Sequence, residues 1–144
     1  MKKIPSVPQA VVVKTDGTAH LVPCDASKTL SLDKLQELVG GYVEVVRASR
    51  IAPLVMIVNE EGKLLNLPLN KNATAWQSTI HGCQQIVGDV VVMCQQGEDL
   101  VGLNPKLAKQ LSGAFTMRLQ NDVISDFLKE HVECEITKVK RHAR

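Results

Sequence analysis

The chain has 144 residues and a mass of 15.8 kDa, with 44% hydrophobic and 22% charged residues. That length and apolar content suit one ordinary globular domain and exclude a disordered, collagen-like or coiled-coil chain. Seventeen Lys+Arg against fifteen Asp+Glu leave a formal +2, too mild a charge to signal a polyanionic partner.

Residues 10–13 and 19–22 read as strands on either side of Asp16-Gly17, a hairpin whose tight turn uses glycine and which Pro23 ends. Ser31 N-caps a helix with Asp33 in its first turn, and Leu32, Leu35, Leu38 and Val39 fall on one apolar stripe. Gly40-Gly41 stops that helix, and the chain returns as a strand over 42–47. Residues 54–58 are a continuous apolar run. With 59–63 as a turn and Leu64-Leu65 opening a return strand, a second hairpin is predicted, limited by Pro68. Asn70-Lys71-Asn72 caps a helix from 73 towards 80, and Gly82 and Gly88 bracket an irregular stretch. Residues 90–94 form the most hydrophobic strand, expected at the centre of the sheet, and 95–99 read as a polar loop. Asn104-Pro105 starts a helix carrying Leu107 and Leu111, which Gly113 ends. Asn121 opens another, with Val123, Ile124, Phe127, Leu128 and His131 on one face. Residues 133–139 fit a last strand, and the end is basic.

This succession predicts an α+β fold: a mostly antiparallel sheet built from hairpins, helices packed on one face, and a C-terminal helical extension. The corresponding division is an α+β core at 1–102 and an extension at 103–144 with a short strand and a basic tail.

Lys2 and Lys3 precede an apolar stretch that Lys14 and Asp16 interrupt, short of the roughly 7–15 apolar residues of a secretory signal. No window approaches the roughly 20 apolar residues of a membrane span. A cytoplasmic protein without a membrane partner is expected. Cys24, Cys83, Cys94 and Cys134 are scattered without a C-x-x-C pair, so free thiols are expected and neither a metal nor a cofactor.

The segment 58–74 concentrates polar side chains between apolar anchors: Asn59, Glu60, Glu61, Asn66, Asn70, Asn72 and Thr74. Amides both donate and accept, so these groups suit the rim of a pocket for a small ligand. The same residues equally suit a turn and a helix cap, bonding local backbone. Arg47 and Arg50 could grip a phosphate or carboxylate in bidentate fashion, and exposed loop arginines are the plainer reading. Glu60 and Glu61 are adjacent and would point apart in a strand, which does not suit a paired-carboxylate hydrolase. No phosphate-loop or nucleophile-elbow pattern occurs, and a non-catalytic protein is expected. With Tyr42, Trp76, Phe115 and Phe127 as the whole aromatic complement, a stacking platform is not expected. The basic end reads as a solvated tail, so nucleic acid is not an expected partner.

Read together, the segments VGGYVEVV (39–46), VNEEGK (58–63), LPLNKNAT (67–74) and IVGDVVV (86–92) resemble a family of domains of unknown function from bacteriophages and mobile elements. The resemblance runs from about residue 11 to residue 93. It implies a small accessory protein that binds and disables or redirects a host component. Some proteins of that kind are oligomers that sequester nucleotide-derived immune signals; others occlude a host protein. The leading expectation is therefore an anti-defence sponge, a homo-oligomer binding a small polar, nucleotide-like ligand. Asn59, Glu60, Asn70, Asn72 and Thr74 would hold it, Arg47 or Arg50 would meet an anionic group, and Trp76 and residues 64–69 would floor the pocket. The alternative is a protein–protein inhibitor or assembly module acting on a host protein through the C-terminal helices.

Overall fold

The computed structural model describes residues 7–48, 53–81 and 85–116, with backbone alone for 77–81 and 116. Its frame follows from three apolar runs. β1 (Gln9–Val13), β4 (Leu54–Asn59) and the first four residues of β5 (Val90–Gln96) are buried at every position. Strands buried on both faces belong in the middle of a sheet. The order is β2–β1–β5–β4–β3, where β2 is Ala19–Pro23 and β3 is Val43–Arg47, and every pairing is antiparallel. A sixth strand, β6 (Asp99–Val101), pairs with the last residues of β5. β6 and β1 pair with successive stretches of β5 on the same side, and Gln9 bridges to Leu103 where the two meet.

The first hairpin forms as expected. Lys14 donates its N–H to the Thr18 carbonyl at 2.9 Å, and Gly17 takes the left-handed conformation at φ 92°. The second expected hairpin does not form. β4 pairs with β3 instead, from Val43↔Asn59 to Arg47↔Val55. Residues 60–66 coil into successive turns: Leu65 N–H reaches the Glu61 carbonyl, Leu67 N–H reaches that of Gly62, and Asn66 sits at φ 55°. Only Leu69 makes a strand-like contact, a bridge to Val87. The expected polar loop at 95–99 is instead the end of β5 and the start of β6, joined through Gly97 at φ 62°.

Three helices complete the described residues. α1 (Leu32–Val39) begins where Ser31 Oγ accepts the Lys34 N–H, and it ends at Gly40 with φ 81°. α2 is Lys71–His81 and α3 is Pro105–Thr116. The helices cover both faces of the sheet, not the single face expected. Leu35 and Val39 of α1 pack with Ala10, Val12, Val55, Ile57, Val91 and Met93 on one face. Ala73 and Trp76 of α2, with Leu107, Ala108, Leu111 and Phe115 of α3, pack with Val11, Val13, Leu54, Met56, Val90 and Val92 on the other. Central strands with apolar residues on both faces need cover on both.

α3 opens at Asn104, whose Oδ1 accepts the Lys106 N–H, as its sequence predicts. It does not stop at Gly113, whose face is open to solvent, but runs on to Thr116 because Ala114 and Phe115 are buried. α3 shares its core cluster with the sheet although it lies beyond residue 102. The expected helix at 121–131, strand at 133–139 and basic tail lie outside the described residues. Among the described residues, no helix is long and apolar enough to cross a membrane.

Candidate functional site

One end of the sheet gathers most of the expected site residues. Val13 pairs with both Ala19 and Val90, and Val43 pairs with Asn59. The ends of β1 and β4 and the starts of β2, β3 and β5 therefore lie together there. Asn59 and Glu60 leave β4 at this end, and Asn70 opens α2 at the same level, with its N–H on the Ile86 carbonyl.

The amides turn inward. Asn70 is fully buried; its Nδ2 donates to the carbonyls of Val13 at 2.9 Å and Gly88 at 3.0 Å. Its Oδ1 accepts the Ala73 N–H at 3.0 Å and so caps α2. Both amide hydrogens are used. Asn59 is 6% exposed. It donates to the Val39 carbonyl at the end of α1 and accepts the Glu61 N–H at 2.8 Å. Asn72 donates to the Phe115 carbonyl at 2.9 Å and lies 3.4 Å from that of Gly17, fastening the end of α3 to the first hairpin. Thr74 Oγ1 donates to the Ile86 carbonyl and accepts the Ile86 N–H. Each of these side chains joins segments distant in sequence by satisfying backbone groups that burial would otherwise orphan.

The remaining expected residues lie apart. Arg47, exposed, ends β3 opposite Val55. At a strand's rise that is about 13 Å from the Val43–Asn59 pair. Arg50 lies outside the described residues. Trp76 is fully buried, donates Nε1–H to the Ala48 carbonyl and stacks on Phe115, so its faces are covered. Glu60 is exposed and keeps its carboxylate outward, while its N–H bonds the Tyr42 carbonyl at 2.8 Å.

Beside the exposed Asp16, Glu60, Lys63 and Lys71, this end of the sheet holds large apolar side chains outward. Leu64 is 81% exposed, Tyr42 64%, Leu65 56% and Leu69 39%. The 60–67 turn is tied to Tyr42 through Glu60 and held from below by Gly62, where a Cβ would meet Val87 at 2.8 Å. A rigid, backbone-bonded turn thus carries two adjacent leucines into solvent. Leu64 and Leu65 read equally well as the opening of a strand, so the sequence carried no signal for this turn.

Elsewhere, burial pushes the thiols of Cys24 and Cys94 up from the ordinary 9.0. Among the described residues no His, Cys, Asp or Glu side chains cluster in a group able to hold a metal ion. Neither the curated proteins nor the solved structures contain a match to this chain. A family does match, over residues 8–116, a span that runs from the first strand to the end of α3. The chain belongs to the family described as Domain of unknown function (DUF3846).

Proposed function

We propose that this chain is a non-catalytic protein-binding module that presents the apolar end of its sheet to a protein partner. The observation that carries this reading is the exposure of Leu64 and Leu65 on a turn locked by backbone hydrogen bonds, with Tyr42 exposed on the segment to which Glu60 ties that turn. Large apolar side chains held out of the core together mark contact surfaces. A ligand pocket at the same end is less well supported, because Asn59, Asn70, Asn72 and Thr74 direct their polar atoms to the backbone. A bacteriophage or mobile-element setting, which the family resemblance implies, and a cytoplasmic location, expected from the sequence, belong to the same proposal.

The test is photo-crosslinking in the native cell, with benzoylphenylalanine in place of Leu64 or Leu65 and of the exposed Glu98 as a control. Discrete protein adducts from 64 and 65, with none from 98, support the proposal. Identical adduct patterns at all three positions, or none, would sink it. A rise in melting temperature with nucleotides at about 1 mM would return the ligand reading, since a ligand well above its Kd must stabilise the fold.

A further inference from the structure

β3 is an edge strand: it pairs with β4, and among the described residues no strand pairs with its other side. The direction of its backbone groups follows from its two ends. Glu60 donates its N–H to the Tyr42 carbonyl, and Ala48 donates its own to that of Leu54. Between these bonds the register runs unbroken from Val43↔Asn59 to Arg47↔Val55. Hydrogen-bonded pairs alternate along an antiparallel ladder, so Glu44 and Val46 bond β4 while Val43 and Val45 aim their N–H and C=O groups away from the sheet. Edges of this kind are ordinarily blunted by proline, lysine or a bulge. β2, at the far side, obeys that rule. Its alternation, set by the bonds from Lys14 to Thr18 and from Cys24 to Pro8, turns Pro23 outward, where it has no N–H to offer. β3 reads Val-Glu-Val-Val-Arg, without proline, lysine or bulge.

We propose that β3 pairs antiparallel with β3 of a second copy of this chain, about a two-fold axis at Val45, so that one sheet runs through both molecules. Only registers that set odd-numbered residues opposite one another join the outward groups. Centred on residue 44, the pairing would place two Glu44 carboxylates directly opposite, which is unfavourable. Centred on residue 46, it would carry Val43 past the end of the other β3. Centred on Val45, all five residues pair. Val45 meets Val45, Val43 meets Arg47 and Glu44 meets Val46, with no like charges directly opposed. The two Glu44 carboxylates then lie diagonally, a weaker repulsion that salt screens. Val45, 42% exposed, gains a β-branched neighbour across the strands. A second copy suits this edge because two-fold pairing closes on itself, and the outer edges of the joined sheet are the proline-bearing β2 strands. The inference concerns the backbone of β3 and does not rest on the docking function proposed for Leu64 and Leu65.

The experiment is sedimentation equilibrium of the full-length protein, over concentrations reaching about 1 mM, the range of weak specific contacts. The native chain is expected to dimerise as concentration rises. Val45→Pro should keep it monomeric with an unchanged circular dichroism spectrum, because proline removes an N–H that the β3–β4 ladder does not use. Val45→Cys, Val43→Cys and Val46→Cys chains, oxidised separately, read the register. Two copies of residue 45 would stand about 5.5 Å apart between Cα atoms, within the reach of a disulfide. Two copies of residue 43 or of 46 would stand about 8 Å apart or more, beyond that reach. A 45–45 disulfide mapped by mass spectrometry, without 43–43 or 46–46 products, supports the proposal. A chain that stays monomeric at the highest concentration overturns it, whether its edge is open or filled by the chain itself. So does a Val45→Pro chain that still dimerises, or a disulfide yield at 43 or 46 matching that at 45. Should Val45→Pro unfold the protein, the native chain and the cysteine series decide alone.

Discussion

Trp76 of α2 lies flat against Phe115 of α3, ring centroids 4.5 Å apart and planes 19° from parallel. Both side chains are fully buried, or nearly so. The stack makes α3 part of the core that α2 and the sheet enclose, since burying two aromatic rings is among the larger single gains available to a small domain. Phe115→Ala is expected to destabilise the fold by roughly 3–5 kcal/mol, from lost burial and the cavity left behind. Urea unfolding followed by Trp76 fluorescence measures it. A loss below about 1 kcal/mol would mean that α3 is a loosely attached appendage.

Asn70 carries a comparable load through polar means. Replacing it with Ala leaves the carbonyls of Val13 and Gly88 without their donor and α2 without its cap. The expected loss is roughly 2–4 kcal/mol. Asn70→Asp is the sharper probe, because a carboxylate would face two carbonyl oxygens with no hydrogen to give. Its folded-state pKa should therefore lie above the unfolded value, and its stability should recover as pH falls towards about 4. Parallel pH titrations of melting temperature for the native chain and the variant check the sign.

Much of the fold was legible because local signals and tertiary demands agree. Ser31, the leucine stripe and Gly40 mark both ends and the buried face of α1, and the run at 90–93 places β5 in the middle. The face that α1 covers was legible in principle: strands without polar alternation must be covered twice. The 60–67 turn was not. Leu64 and Leu65 read as strand residues, whereas the carbonyls of Glu61, Gly62 and Lys63 hold the backbone in turns. The candidate site was half legible. Asn59, Glu60, Asn70 and Asn72 do meet at one end of the sheet. Yet an asparagine reads the same whether it will face a ligand or a carbonyl 57 residues away, as Asn70 faces Val13.

The end of α1 gives a steric prediction. A Cβ on Gly41 would stand 2.9 Å from Asn59 Nδ2, the atom that holds the Val39 carbonyl. Gly41→Ala must push that amide aside, whereas Asn59→Ala removes it. The double variant should therefore lose less than the sum of the two single losses, because both act on one hydrogen bond. A double-mutant cycle by chemical denaturation reads the coupling, and strict additivity would contradict the shared contact.

Cys24 predicts a response to alkali. Burial, then the Asp25 carboxylate, raise its thiol pKa above the ordinary 9.0. A raised folded-state pKa means that the unfolded chain loses its proton first. The associated stability is complete below pH 9 and declines as pH climbs towards the folded-state pKa. Cys24→Ala should flatten that decline. Thermal unfolding between about pH 7 and 10.5 provides the comparison, and identical slopes would remove Cys24 as the cause.

Gly113 offers the opposite sign. It lies inside α3, exposed, with open space where a Cβ would go and no left-handed backbone to forbid one. A glycine there gives the unfolded chain freedom that the helix must remove, and alanine would remove less. Gly113→Ala is expected to stabilise the protein by roughly 0.5–1 kcal/mol, read as a shift in the urea midpoint with an unchanged slope. Since α3 is seated by Phe115 and Asn72, the gain should persist when Leu64→Glu alters the turn at the end of the sheet. The two changes touch no common neighbour in the structure, so their effects should add. Strong coupling between positions 113 and 64 would show that α3 and the leucine turn communicate, and would contradict the view of a rigid scaffold carrying an independent contact surface.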